Sequence, residues 1–427
     1  MTLSLPLAAV VACAPTDAAA TEPLSVQDAV AAATARALSP TAAAAAADAA
    51  RERAIAAAQR PDPVLRLSLD NLPVDGAERF STTRDFMTMR SIGLMQTFTR
   101  ADKRSARAER FEREAEVAQA ERQLRTATVQ RETAVAWFER QAAEQRQGVL
   151  QALRDEASRQ VEAAEAALRS ARATPADVLA AREALARLDQ SITEVRSEVA
   201  NARRALSRWT GDVPDRPLAA PPAQAGQADA LHAMAARLDA HPDLQRLDAS
   251  AAEAGAAAAV ARAEREPAWS AELMFSQRGS RYSNMVSIGV SLPLPWDRPQ
   301  RQDRELAARL AQAEALRAER EELARERRLE TESWIEAWRA GLAQIALIDR
   351  ERAPLAAQRI EAALAALRGG QAPLSAVLEV RRAALALQME RIDLELQTAR
   401  LWARLAFLIP QDPTVSAAQT STEGAPR

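Results

Sequence analysis

Few residues in this chain are equipped for chemistry. Cys13 is its single cysteine, and His232 and His241 are its two histidines. That supply leaves no ready nucleophile–base pair. The histidines also miss the i, i+4 spacing that would set two imidazoles on one helical face. The carboxylates are spread along charged helical faces rather than isolated as a pair. No enzymatic reaction and no cofactor is expected. Two sets of residues remain. Five of the eight methionines, Met87, Met89, Met95, Met274 and Met285, fall in or beside strand-like stretches. Thioether sulfur suits Cu(I) or Ag(I), and methionine equally serves to fill an apolar surface. Cys13 follows an apolar run from Leu3 to Ala12 that is too short to span a bilayer as a helix and reads as the core of an export signal over residues 1–20. Val10-Val11-Ala12-Cys13 reads as a lipobox, making Cys13 the lipidated first residue of the mature chain. Ala18-Ala19-Ala20 reads as an alternative cleavage site. Either processing sends the chain out of the cytoplasm.

The scaffold around these residues is mostly helix. Of 427 residues 48% are hydrophobic but only 4% aromatic, so alanine and leucine carry the apolar content. With 12 glycines and 27% charged residues, that mix suits long helices packed through small side chains. The net charge of −2, with arginine as the cation almost everywhere and Lys103 the one lysine, argues against a nucleic-acid partner, which needs an uncompensated basic face.

Taken in order, residues 25–212 make a first unit, 213–227 a Pro-rich linker, 228–409 a second unit and 410–427 a polar tail. The first unit opens with an Ala-rich helix interrupted at Ser39-Pro40, since proline disfavours helix in the residue before it. Strands at about 64–70 and 88–99 follow, then a helical run from 101 to about 170 free of proline. A break at about 171–177 precedes a returning helix. The second unit repeats the order: a helix interrupted at His241-Pro242, strands at about 269–277 and 285–294, a long rod kinked at Pro354, a break at about 369–376, and a closing helix. Ser91-Ile92-Gly93 recurs as Ser287-Ile288-Gly289. The order reads as an internal duplication.

In the last strand Val286, Ile288, Val290, Leu292 and Leu294 alternate with Ser287, Gly289, Ser291 and Pro293, the two-residue period of a strand with one greasy and one small face. Strands near ten residues match a tilted bilayer crossing. Open strand edges are not tolerated in lipid, so four strands demand completion by other copies, and three chains supply twelve. Soluble hairpins packed on helices show the same alternation and stand as the competing reading.

The sequence resembles the TolC family of trimeric outer membrane efflux ducts over nearly the whole mature chain. Tips in that family resemble Val-Gly-x-x-x-x-x-Asp-Val-Leu-x-Ala. Here they read Ser170-Ala171-Arg172-Ala173-Thr174-Pro175-Ala176-Asp177-Val178-Leu179-Ala180-Ala181 and Gly370-Gln371-Ala372-Pro373-Leu374-Ser375-Ala376-Val377-Leu378-Glu379-Val380. Pro61-Asp62-Pro63-Val64-Leu65-Arg66-Leu67-Ser68-Leu69-Asp70 and Arg100-Ala101-Asp102-Lys103-Arg104 are most similar to the heavy-metal branch of CzcC and CusC type. The resemblance implies a mainly α fold with a small β part: a 12-stranded outer membrane barrel on a long periplasmic helical tunnel. It implies a homotrimer in outer membrane lipid of a Gram-negative bacterium, working with a periplasmic adaptor and an inner membrane RND-type pump as a passive exit duct for heavy-metal cations. It places a periplasmic gate at Asp177, Glu379 and Gly370. Ala376 stands where the family often has an acid, so an aperture ring would rest on Glu379. Export of drugs or peptides through the same fold, or a periplasmic coiled-coil adaptor, are the alternative readings.

Overall fold

The computed structural model describes residues 22–171, 173–211, 216–222, 231, 233 and 236–411. Long helices dominate. Helices α1 (Val26–Arg36) and α2 (Leu38–Ala58) lead into strands β1 (Val64–Asp70) and β2 (Met89–Phe98). Helix α3 (Ala101–Arg169) then runs for 69 residues without proline, roughly 100 Å at 1.5 Å per residue. Helix α4 (Pro175–Thr210) returns alongside it. After the linker come α5 (Pro242–Glu264), β3 (Trp269–Gln277), β4 (Met285–Ser291), α6 (Gln302–Leu347), a π-helical segment (Ile348–Arg352), α7 (Ala353–Arg368) and α8 (Leu374–Ala406).

The breaks have local causes. The first falls at Ala37, just before the expected Ser39-Pro40, because Pro40 sits in the first turn of α2 where no backbone donor is needed. Strand β4 stops at Ser291 rather than continuing to 294. Pro293 and Pro295 follow and cannot donate to a ladder. The expected kink at Pro354 takes the form of the π segment: Pro354 lies in the first turn of α7, and the widened turn before it accommodates the missing donor.

The four strands form one antiparallel sheet in the order β1-β2-β3-β4. Its middle ladder, β2 with β3, aligns Ile92 with Phe275 and Leu94 with Leu273, joining segments separated by α3, α4, the linker and α5. Near the sheet α3 packs on α2 and α5; towards its far end it packs on α4 and α8.

The main core is a belt about midway along α3. Trp137, Phe138, Leu206, Trp338, Trp402 and Phe407 are buried there, with edge-on ring contacts from Trp137 to Phe138, Phe138 to Trp402 and Trp402 to Phe407. The Trp137 indole N–H donates to Leu24 O at 2.9 Å. Leu24 pairs in parallel with Leu218, and Arg140, almost wholly buried, donates to Arg216 O. The described part of the linker is thereby strapped to the belt. Gly341 on α6 lies against Thr398 on α8 so closely that a Cβ would overlap the hydroxyl.

Candidate functional site

The register sorts the sheet into two faces. Leu65, Leu67 and Leu69, then Ile92 and Leu94, then Leu273 and Phe275, then Val286, Ile288 and Val290 lie side by side on one of them. All are exposed, with Ile288 at 79% and Leu67 and Val290 at 70%. Ordinary monomeric proteins rarely leave so broad an apolar surface bare. Beyond β4 the exposure continues through Leu292 and Leu294 to Trp296 at 94%. At the helical end Phe98 stacks on Trp269, ring centroids 4.3 Å apart. Gln96, the polar interruption of this face, donates its amide to Pro61 O and Thr97 O.

The opposite face is polar, and less uniformly small than its sequence suggests. One rung reads Arg66, Gly93, Met274, Ser287; the next reads Ser68, Ser91, Ser276, Met285. Asp70 Oδ2 accepts from the Ser68 and Ser91 hydroxyls, both at 2.9 Å, and Ser91 and Ser276 share a 2.9 Å hydrogen bond. Arg66 pairs with Glu272 at 3.5 Å across Gly93, whose missing Cβ would lie 3.4 Å from Leu273 O. The Arg66–Glu272 pair and the Asp70 cluster were not legible in the sequence, because the β2–β3 register that assembles them joins distant segments. Met95 and Met274 are on this face; Met87 lies in the loop before β2. The loops over 71–88 and 278–284 interlock: Arg278 Nε donates to Phe86 O at 3.0 Å, and Gly279 is seated on the carbonyl of Thr83 without room for a side chain.

At the far end, two turns connect the helices. Asp177 occupies the third position of α4, and its carboxylate accepts from the Thr174 backbone N–H at 2.9 Å and hydroxyl at 2.7 Å, while Asp177 N–H donates back to Thr174 Oγ1. This reciprocal cap holds the Asp177 carboxyl below the usual carboxylate range, chiefly through the Thr174 hydroxyl. Gly370 has φ +69° and closes α7: its N–H donates to Leu367 O and that of Gln371 to Ala366 O, the paired bonds of a Schellman motif. Glu379 is exposed on α8, beside buried Val377. The starts of α4 and α8 meet where Ala164, Val178 and Ala181 pack with Leu374, so Asp177 and Glu379 belong to adjoining helix ends.

Cys13 and His232 lie outside the described residues. His241 is buried and caps α5, its Nδ1 accepting from Asp243 N–H at 3.1 Å; burial lowers its pKa. Among the described residues no cluster of three His, Cys, Asp or Glu side chains is placed to hold a metal ion. None of the described helices is long and apolar enough to cross a membrane.

No known protein family matches the chain by sequence, and neither does any curated protein. Solved structures do match it. The outer-membrane channel OprN is 18% identical with a TM-score of 0.73, over 91% of this chain and 90% of its own. The outer membrane protein VceC of Vibrio cholerae is also 18% identical at 0.73, over 90% of this chain and 95% of its own. CusC, described for its folding and transmembrane channel formation, is 16% identical at 0.68, over 89% of this chain and 91% of its own. The chain has the fold of these outer membrane channels.

Proposed function

We propose that this chain is one protomer of a TolC-family exit duct in the outer membrane of a Gram-negative bacterium. The observation that carries the reading is the sheet: an exposed apolar face four strands wide, a polar face behind it, and unpaired edges at β1 and β4. Lipid covers such a face, and only completion by further strands removes such edges. Three copies complete a twelve-stranded barrel, with Arg66, Glu272 and the Asp70 cluster towards its water-filled interior. The helices extend it as a periplasmic tunnel ending at the Asp177 and Glu379 tips. The chain is a conduit rather than an enzyme; an inner membrane RND-type pump and a periplasmic adaptor supply energy and cargo. The two helix–strand–strand–helix–turn–helix units are a duplication.

Heavy-metal cations are the proposed cargo. The resemblance of the 61–70 and 100–104 motifs to the heavy-metal branch supports this, as do the thioethers of Met95 and Met274 and the carboxylates of Asp70 and Glu272 on the polar face. Two experiments test the reading. Native mass measurement of the detergent-solubilised protein should give a trimer; monomer alone would sink the duct. A deletion strain should lose tolerance to at least one of Cu, Ag, Zn, Co or Cd, and unchanged tolerance to all five would leave the duct without its metal cargo.

A further inference from the structure

Strand β2 has β1 on one side and β3 on the other, so its outward side chains stay outward however the sheet is completed. On the apolar face β2 presents Ile92, Leu94 and Phe98, and also Arg90. Arg90 is aligned between Leu69 and Gln277. It is exposed and makes no ion pair or side-chain hydrogen bond among the described residues. Its neighbours on the sheet and loops are engaged: Arg66 by Glu272, Arg84 by Glu78, Arg278 by the carbonyl of Phe86. Arg90 is the one charged residue of the four strands on this face, and it sits at the loop end, beside exposed Phe86 and Met87.

A guanidinium aimed at hydrocarbon is unfavourable, and the penalty fades at the headgroup boundary. There it meets phosphate, whose oxygens match its planar fork. Strand geometry brings Arg90 to within a side chain's length of that boundary, the apolar band of such barrels being about 25 Å tall. At about 3.4 Å per residue the span from Phe98 to Arg90 is on the order of 27 Å, or roughly 20 Å of depth at a tilt near 45°. The stacked Phe98–Trp269 pair marks the other limit, as aromatic side chains do at membrane interfaces.

We propose that Arg90, with the Gln277 amide beside it as a second donor, binds the phosphate of a lipid headgroup in the leaflet on the loop side. The proposal rests on the reading that this face meets lipid. The test is native mass spectrometry of the purified full chain in nonionic detergent, titrated with diphosphorylated lipid A. Bound lipid should weaken at least tenfold in Arg90→Gln and for dephosphorylated lipid A, and stay unchanged in Arg66→Gln. Equal binding by Arg90→Gln overturns the proposal, as does equal competition by inorganic phosphate at the same concentration. The underlying reading has its own readout: a polarity-sensitive dye on Ile288→Cys, in a Cys13→Ser background in vesicles, should report an apolar surround. An aqueous surround would overturn both; an apolar surround with unchanged lipid binding in Arg90→Gln would overturn only the phosphate site.

Discussion

The two helical hairpins reach the same tip by different means. The first, α3 with α4, is continuous and well buried along α3, with Trp137, Phe138, Leu150 and Ala164 all inside. It leaves its long helix through Ala171 at φ +57°, a left-handed conformation costly for any residue with a Cβ, and starts the next under the Thr174–Asp177 cap. The second is interrupted by the π segment before α7, which buries no side chain of its own and packs mainly on α8. It turns through unstrained Gly370 and starts α8 at Pro373 with no side-chain cap. The π segment is held to α8 by reciprocal ion pairs, Asp349 with Arg391 and Arg352 with Glu390. The contrast separates a fixed hairpin from one joined to the body by a widened turn and exposed charges, and such exposed pairs contribute little each.

The largest effect should come where the second hairpin is anchored. Gly341→Ala pushes a methyl group into Thr398 and should destabilise the α6–α8 crossing by about 1–3 kcal/mol. Thr398→Ala in the same chain should restore most of that loss, and thermal melts of both variants decide it. Next, Gly370→Ala should cost about 1–2 kcal/mol, because an alanine there must adopt the left-handed conformation; the mirror change, Ala171→Gly, should raise the melting temperature. Equal and opposite shifts would sharpen the comparison, while two losses would break it. Thr174→Ala should cost about 1 kcal/mol by removing the cap of α4.

The same cap carries a pH dependence. The Asp177 carboxyl is held low in the folded chain, so its contribution is complete above the ordinary aspartate range near 4 and is lost as pH falls through the lowered folded value. Asp177→Asn should remove that acid-side slope. The smallest effect should be dynamic: Pro354→Ala restores a backbone donor, and amide exchange over 348–354 should slow without a measurable change in melting temperature.

The period-two pattern around Ile288 and the proline-free run of α3 carried most of the architecture in plain view, since strand faces and long helices are written in local spacing. The Asp177 position is legible in the sequence, and so in principle is its capping bond, since Thr174 three residues before an acid is a cap signature. What stayed hidden depends on pairings between distant segments: Arg66 with Glu272, Gly279 under Thr83, Gly341 against Thr398. No local pattern encodes which residue of β2 faces which residue of β3.

That middle ladder also sets an order in time. Helix pairs such as α3 and α4 close over short connections and rest on contacts near in sequence, which form early. The sheet is different, because β2 must wait for the chain from α3 to α5 to emerge and fold back before β3 can lie beside it. Bringing such remote ends together carries the larger closure entropy. The α3–α4 hairpin is therefore the early-forming part, while the β2–β3 ladder and the belt, where Phe138 meets Trp402, close later.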